Sequence, residues 1–568
     1  MAQDFISYLN TLHNLTPAGA NALAESQVNN CYFNDIYSEF PIVSHIEKLI
    51  KTSENNVIII TGHAGDGKST IAFDLIKRLD TNFANHAFKQ HEYTSSYDLH
   101  ILKDMSELSL SDRKEWLSQA FNNKGNWLIV SNTGPLLTSI TEYLHSIDST
   151  KNIESEIYNM LDRDISISDK LESLEDLNIN LNISNKNLYI INIAKLDNIE
   201  VALNIFKKII QHKSWNSLIE NYPNHPIILN YCALKSSLNK VIESIRLVYL
   251  YLLSYEKRLT LRQMLAHFSA AITGGYQLDD NINTPLIFSD LFFGMIANKK
   301  WEKASKLTAI SLLSSLNLSG YRSLELEKLI TNSSTFSNTS PSIKTLADAC
   351  IKEDIESYRH GIKTTLRRLT FMYDLYPETY VNAKALFLNS PFIIKFSEWR
   401  LDPENFTKID AKNIKKMSLQ ALNLFFNGFS EEKNLNITLK RSDNSFFQIA
   451  QIKICSFQER DFEVRYCTNK QQPYLTLKGK SNIKLELSLP LLDYIQNITK
   501  GDITESISPI YKTQLERFKL LLIEYSESEI ENEENIMLLH TLANGEVEET
   551  TIKFEKNFEN EVTLSLED

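Results

Sequence analysis

The chain has few cysteines and no long apolar segment, and both absences narrow what it can be. Five cysteines are scattered through 568 residues without a C-x-x-C pair. The sequence therefore predicts reduced thiols, and neither a disulfide framework nor a zinc site. No run of roughly eighteen uncharged apolar residues occurs, so no membrane span is expected. The opening residues, MAQDFISYLN, lack a basic-then-apolar signal sequence, which predicts a cytoplasmic protein without a membrane partner.

An excess of positive charge is also absent. The formal net charge is −12, from 59 Lys and Arg against 71 Asp and Glu. Because a protein that coats DNA neutralises many phosphates with Lys and Arg, this balance argues against such a protein. A local basic cluster remains open, and Lys363 with Arg367 and Arg368 is the candidate. We expect DNA binding by the isolated chain to be weak or indirect, and to be lost as salt rises.

One segment carries a specific motif. Residues 57–70 read VIIITGHAGDGKST, which is an apolar strand followed by the complete G-x-x-x-x-G-K-[ST] pattern of a phosphate-binding loop. An apolar pattern with helical spacing follows at once, from Ile71 to Leu79. Both flanking elements that the motif requires are therefore predicted. The competing interpretation is a glycine-rich turn that binds nothing.

The motif predicts ATP and Mg²⁺ as ligands. In such a loop the backbone N–H groups converge on the β-phosphate, and the helix N-terminus adds its positive dipole end. Lys68 is expected to reach the β- and γ-phosphates, and Ser69 to offer its hydroxyl to Mg²⁺. The predicted nucleotide-binding residues run without a break through the loop: Gly62, His63, Ala64, Gly65, Asp66, Gly67, Lys68, Ser69 and Thr70.

Polar residues follow two of the predicted strands. Asp104 ends a strand that begins at Leu99, and Asn132 follows a buried strand at 127–130. The carboxyl ends of parallel strands share one edge of a sheet, so both side chains are expected near the loop. The strand of Asp104 is expected directly beside the loop strand, which makes Asp104 the second candidate metal ligand. Asn132 is the candidate that senses the γ-phosphate.

Glu107 is the candidate that activates water, a role that needs hydrogen-bond reach to the attacking oxygen. Each of these three polar residues also has a simpler interpretation. Asp104 would be a former of the strand-end turn, Glu107 an exposed carboxylate at a helix start, and Asn132 part of an Asn-Thr-Gly turn.

Aromatic residues and arginines add further candidates. Three aromatic residues before the loop strand would either stack on adenine or pack in the core: Tyr32, Phe33 and Tyr37. Arg262, or the pair Arg367 and Arg368, would reach the nucleotide of a neighbouring copy, which requires a homo-oligomer. The alternative for each arginine is an ordinary place on a helix surface.

The pattern of elements divides the chain into three parts. Strands alternate with helices in residues 1–200, which predicts an α/β fold with a P-loop NTPase core and a mostly parallel sheet. Residues 201–430 are helical and are expected to form a lid or interaction domain. Residues 431–568 show β-type alternation and are expected to form a mixed β-rich domain that docks partners. The acidic run SESEIENEEN within it is interpreted as a solvated loop.

Several segments together resemble a group of bacterial anti-phage defence ATPases. The loop GHAGDGKS and the strand ends LKDMSE and SNTGPLL are similar to those of the DptF-like ATPase subunits of DNA phosphorothioation-dependent restriction. Weaker similarities lie at 225–235, 259–275 and 421–429. The resemblance implies an ATP-hydrolysing subunit of a restriction complex whose other subunits handle DNA.

The sequence departs from that family at one position of interest. Related proteins carry Asn-Glu-Gly where this chain has Asn132, Thr133 and Gly134, which leaves the water-activating residue open. Two functions follow from the sequence. One is a Mg²⁺-dependent ATPase, and the other is a nucleotide-gated assembly scaffold or switch with little turnover. A small-molecule kinase is disfavoured, because kinases rarely need such large helical and β appendages.

Overall fold

The chain forms two compact units in the computed structural model, Met1–Asn389 and Ser390–Asp568. Among the residues that the structure describes, no helix is both long enough and apolar enough to cross a bilayer. The described residues are 2–13, 15, 30–80, 89–147, 155, 157–158, 161, 182–183, 186–296, 299–318, 320–321, 323–331, 340–345, 348, 361–376, 380, 382–431, 433–439, 450–502, 507–529, 535–542, 547–556 and 562–567.

A six-stranded sheet organises the first unit. Its strands are β1 (Asn56–Thr61), β2 (His91–Thr94), β3 (Leu99–Leu102), β4 (Asn126–Val130), β5 (Asn182–Ile183) and β6 (Lys186–Asn192). They lie in the order β2-β3-β4-β1-β6-β5. The four inner strands are parallel, and the outer strands β2 and β5 run antiparallel to their neighbours. A mostly parallel sheet of this kind confirms the predicted α/β class.

Strand β1 lies at the centre of the sheet, and all six of its residues are buried. A strand with neighbours on both sides and cover on its faces requires a continuous apolar run, which Val57–Ile60 supplies. Val57 and Ile59 join a buried cluster that also contains Trp127 and Leu188. The loop that follows β1 is therefore anchored to a fully buried central strand.

Helices surround this sheet and continue after it. In chain order they are α1 (Ala2–Thr11), α2 (Cys31–Ile36), α3 (Pro41–Thr52), α4 (Lys68–Leu79), α5 (Leu110–Asn122), α6 (Thr133–Ile147), α7 (Ile199–Gln211), α8 (Ser214–Asn221), α9 (Pro226–Ser236), α10 (Leu238–Ser254), α11 (Leu261–Thr273), α12 (Phe288–Phe292), α13 (Thr308–Ser315), α14 (Leu324–Thr331), α15 (Gly361–Tyr373) and α16 (Ala383–Leu388). A short ribbon of β7 (Met295–Ile296) and β8 (Lys299–Lys300) follows α12.

The helical region belongs to the same compact unit as the sheet. Helix α1, at the start of the chain, packs against α8 and α11, and α2 packs against α7. The N-terminal helices thus contact the helices beyond residue 200. The structure shows no division near that residue, where the change of sequence pattern suggested a boundary.

In the second unit, the described residues form four α-helices and two antiparallel sheets. The helices are α17 (Ile393–Leu401), α18 (Lys408–Asn427), α19 (Leu489–Thr499) and α20 (Pro509–Glu529). The strands are β9 (Asn434–Thr438), β10 (Ala450–Gln458), β11 (Phe462–Cys467), β12 (Gln472–Leu477), β13 (Lys480–Glu486), β14 (Asn535–Thr541), β15 (Val547–Lys556) and β16 (Val562–Glu567). They form sheets of order β16-β15-β14-β10-β9 and β11-β12-β13.

Two details of this unit differ from the sequence-based expectation. Helix α20 continues to Glu529, so the acidic run begins as helix and not as a loop, while residues 530–534 lie outside the described part of the chain.

The unit also begins before residue 430. Asn423 Nδ2 donates to the Asn434 carbonyl at 2.7 Å, and Asn427 Nδ2 donates to the Asn436 carbonyl at 2.7 Å. These amides bind α18 to the edge strand β9, which explains why the helix belongs to the β-rich unit.

Candidate functional site

The glycine-rich loop between β1 and α4 encloses the ammonium group of Lys68. Lys68 Nζ donates to the Gly62 carbonyl at 3.1 Å, to the His63 carbonyl at 2.9 Å and to Asn132 Oδ1 at 2.8 Å. Only 7% of this residue is exposed. Asn132 follows β4, which pairs with β1 in parallel register. The predicted approach of Asn132 to the loop is therefore confirmed, and its amide contacts the loop lysine directly.

Two glycines of the loop occupy positions at which a side chain would be strained. Gly65 and Gly67 have φ values of +91° and +97°, in the left-handed region that side chains disfavour. A Cβ atom on Gly67 would lie 2.6 Å from Phe40 Cζ, and one on Gly65 would lie 3.0 Å from Arg262 Cβ. The loop is thus in close contact on both sides. Gly67 is also the N-cap of α4, so the helix begins at Lys68.

A buried ion pair fixes the middle of the loop. Asp66 is fully buried, and its Oδ2 accepts a hydrogen bond from the His63 N–H at 3.0 Å. Its Oδ1 accepts from Arg258 Nη1 at 2.8 Å, and Arg258 Nη2 donates to the Ile193 carbonyl at 3.3 Å. A buried carboxylate is tolerated only when it is paired and hydrogen-bonded, as it is here. Gly62, His63 and Asp66 thus set the shape of the loop.

The segment that carries Arg258 also contacts the loop through its backbone. The Arg262 N–H donates to the Gly65 carbonyl at 3.1 Å. Thr260 and Gln263 form a capping box that fixes the start of α11 there. Sequence reasoning missed Arg258, although this residue lies only four positions before the candidate Arg262 in the sequence. It gave Arg262 as a candidate for the nucleotide of a neighbouring copy or as a helix-surface residue, and in the structure Arg262 lines the cavity of its own chain.

Replacing Arg258 by Ala should destabilise the loop more than replacing Arg262 by Ala. Arg258→Ala leaves the buried Asp66 carboxylate without its guanidinium partner, which should lower the free energy of unfolding by roughly 2–3 kcal/mol. The contact of Arg262 with Gly65 uses the backbone and survives in Arg262→Ala. Urea unfolding of both variants measures the difference. Equal stability of the two variants would show that the Asp66–Arg258 pair does not hold the loop.

A cavity of about 280 Å³ opens beside the loop. Its volume lies near the lower end of the range for small-molecule sites. The polar part of its wall consists of loop residues and strand-end residues: Ala64, Gly65, Gly67, Lys68, Ser69, Thr70, Asp104, Glu107, Asn132 and Arg262. The remaining wall is largely aromatic and aliphatic: Tyr8, Leu12, Phe33, Ile36, Tyr37, Ser38, Phe40, Ile205, Leu261 and Leu265. A ligand with one charged end and one flat apolar end would match this division.

Asp104 lies on the cavity wall but not on the neighbouring strand. Its strand β3 pairs with β4, and β4 separates it from β1, so the expectation that the strand of Asp104 lies directly beside β1 is wrong. Asp104 has a φ of +29°, and its Oδ1 accepts from the Ser106 N–H at 3.0 Å. The turn-forming interpretation of Asp104 is thus confirmed. The residue also shares the cavity with Ser69.

The turn after β3 is linked to the end of β4. The Asn132 N–H donates to Ser106 Oγ at 2.8 Å, so the turn of Asp104 and the tip of β4 hold one another in position. Glu107 is exposed at the mouth of the same cavity. The structure thus brings all four predicted catalytic residues to one cavity: Lys68, Asp104, Glu107 and Asn132.

Burial lowers the pKa of Lys68, while the Asp104 and Asp66 carboxylates act in the opposite direction and Arg262 lowers the pKa further. The two carboxylates therefore compensate the positive charge of Lys68 only in part. An anion bound beside Lys68 would favour the charged ammonium and raise its pKa. This electrostatic arrangement favours an anionic ligand at the polar end.

The aromatic candidates divide between cavity and core. Phe33 and Tyr37 line the cavity. Tyr32 is partly buried and packs against other rings, with centroids 5.2 Å from that of Phe5 and 5.6 Å from that of His212. Sequence reasoning missed Phe40, whose ring lies against Gly67. The only signal for Phe40 was its position just before α3.

The basic residues that were predicted to bind DNA do not form an exposed cluster. Arg367 and Arg368 are buried, and they pair with Glu327 at 2.7 Å and with Asp290 at 3.2 Å. Lys363 is more exposed and lies 3.6 Å from Glu327. The expectation that these residues form a phosphate-binding patch for DNA is therefore corrected, because the two guanidinium groups are paired inside the unit.

Comparisons of the chain with protein-family models, with curated proteins and with solved structures gave no match. The assignment of the site therefore depends on its own geometry.

Proposed function

We propose that this chain is a P-loop nucleotide-binding protein that takes ATP with Mg²⁺ in the cavity beside the glycine-rich loop. The observation that carries the proposal is the position of Lys68 Nζ, within 3.1 Å of two loop carbonyls and 2.8 Å from Asn132 Oδ1. The ammonium is held inside the turn at which the loop N–H groups would meet a β-phosphate. The γ-phosphate would then take over the contact that Asn132 makes with Lys68.

The remaining wall residues fit the other parts of Mg·ATP. Ser69 and Asp104 supply a hydroxyl and a carboxylate, which are oxygen ligands of the kind that Mg²⁺ prefers. Arg262 adds positive charge for the phosphates, and the apolar part of the cavity suits a purine ring. ATP hydrolysis would follow if Glu107 orients or activates the attacking water.

The resemblance to DptF-like defence ATPases suggests the setting. We propose that the chain is the ATP-binding subunit of a cytoplasmic DNA-restriction or anti-phage complex, in which other subunits contact DNA. The β-rich unit Ser390–Asp568 is the proposed docking part. The buried positions of Arg367 and Arg368 favour indirect contact with DNA. A homo-oligomer remains a hypothesis, and the cis position of Arg262 does not require one.

One observation favours a second function, a nucleotide-gated scaffold or switch with little turnover. Thr133 stands where the resembling family carries a glutamate, and its hydroxyl lies 3.2 Å from the Thr61 hydroxyl. A hydroxyl is a poor general base near neutral pH, so hydrolysis would depend on Glu107. Binding of ATP would still bring Asn132 and the turn of Asp104 toward the phosphates.

Calorimetric titration of the chain with ATP and Mg²⁺, combined with steady-state phosphate release with and without DNA, tests both functions. We expect saturable ATP binding and phosphate release above the rate without protein. Binding without release would favour the scaffold. If ATP does not bind in the presence of Mg²⁺, the proposed function is wrong.

A further inference from the structure

One residue of the cavity wall has a buried hydroxyl group without a hydrogen-bond partner among the described residues. Tyr8, in α1, is only 3% exposed, and among the described residues none forms a hydrogen bond with its hydroxyl. A buried hydroxyl without a partner is unfavourable and therefore rare in folded proteins. Tyr8 also lines the cavity that contains Lys68, so a ligand in that cavity is the candidate for the missing partner.

The ring of Tyr8 is held in place by its neighbours. Its centroid lies 6.4 Å from that of Phe5 and 5.4 Å from that of Tyr32. These two rings pack on the aromatic body of Tyr8 and restrict its movement. A fixed polar group in a largely apolar wall is the usual device by which a pocket orients its ligand.

The position of Tyr8 on α1 indicates which part of the ligand it would contact. Lys68 begins α4 and Asn132 follows β4, at the edge of the sheet where the phosphates of ATP would lie. Tyr8 belongs instead to the wall that contains Leu12 and Phe33, where a flat ring would fit. This wall comes largely from helices, with Tyr8 on α1, Phe33 on α2 and Leu265 on α11, and not from the sheet.

We infer that the Tyr8 hydroxyl hydrogen-bonds the polar edge of the adenine ring and makes α1 the base-recognition element of the site. This inference rests on the proposed function. A phenolic hydroxyl both donates and accepts, so it can pair with the exocyclic amine or with a ring nitrogen of adenine. A site with a buried polar group binds a ligand that satisfies the group and disfavours a ligand that cannot.

The test is the variant Tyr8→Phe, which removes only the hydroxyl. ATP affinity should fall about threefold to tenfold, as expected for one neutral hydrogen bond. Affinity for ribose 5-triphosphate, which keeps the sugar and the phosphates and lacks the base, should not change. The melting temperature of the ligand-free variant should rise, because an unsatisfied buried hydroxyl has been removed.

Tyr373→Phe is a matched control. Tyr373 is fully buried in α15, and its hydroxyl, like that of Tyr8, has no hydrogen-bond partner among the described residues. It does not belong to the cavity wall. Both variants should raise the melting temperature of the ligand-free protein, and only Tyr8→Phe should weaken ATP binding.

Unchanged ATP affinity in Tyr8→Phe would overturn the inference. So would an equal loss of affinity for ATP and for ribose 5-triphosphate, because Tyr8 would then act on the sugar, the phosphates or the fold. In either case the proposed function would stay intact, provided that the wild-type chain binds ribose 5-triphosphate. A wild-type chain that binds neither compound would refute the proposed function, and this inference with it.

Discussion

Lys68→Ala is expected to lower the affinity for ATP by about a hundredfold, because it removes charge-assisted hydrogen bonds to the β- and γ-phosphates. The ammonium of Lys68 is the positive charge enclosed by the loop, where it contacts the carbonyls of Gly62 and His63. No backbone N–H group can replace that charge. Calorimetric titration with ATP and Mg²⁺ measures the loss.

The same substitution should leave the fold intact. Of the three acceptors that Lys68 contacts, Asn132 lines the open cavity, so water can reach its side chain when Lys68 is removed. Burial also lowers the pKa of Lys68, which means that the folded protein disfavours its charge in the absence of a ligand. Removal of the ammonium should therefore have little effect on stability in ligand-free protein.

Lys77→Ala is the matched control for this experiment. Lys77 lies on the same helix, and its ammonium is 4.4 Å from the ring centroid of Phe73, not at the loop. We expect Lys77→Ala to bind ATP as the wild type does. If Lys68→Ala also binds ATP normally while it melts at the wild-type temperature, the loop does not bind phosphate.

The parts of the site that could be predicted are those with a local pattern. The strand, loop and helix of residues 56–79 follow from a motif whose residues are contiguous, and the structure contains each element. Asn132 could be predicted because parallel strands end at a common edge. The strand order could not be predicted, since nothing in the sequence indicates that β4 and not β3 pairs with β1.

The parts that could not be predicted depend on contacts between distant residues. Arg258 is 192 positions away from Asp66 in the chain, and Tyr8 precedes the loop by more than fifty residues. Neither belongs to a motif, and a buried polar group can be recognised only when its surroundings are known. The boundary of the second unit could not be predicted for the same reason. The amides of Asn423 and Asn427 bind α18 to β9, and composition does not show such contacts.

Asp104→Asn should raise the Mg²⁺ concentration needed for ATP binding and lower any turnover by about a hundredfold, since metal ligation contributes several kcal/mol to such reactions. Asparagine is a more specific substitution than alanine at this position. Its side-chain oxygen can still accept from the Ser106 N–H, and Asn tolerates the φ of +29° better than Ala does. The substitution therefore removes the charge and keeps the turn. Titration of ATP binding against Mg²⁺ measures the effect, and a wild-type Mg²⁺ dependence would remove Asp104 from the metal site.

Glu107→Gln separates the metal ligand from the water-activating residue in the same assay. Glu107 is exposed at the cavity mouth, so its neutral analogue should neither disturb the fold nor change the Mg²⁺ dependence of ATP binding. If Glu107 is the general base, phosphate release falls by roughly 10²–10⁴-fold while binding stays constant. If release is equally slow in wild type and Glu107→Gln, the base is absent. ATP then acts through binding alone, as the scaffold requires.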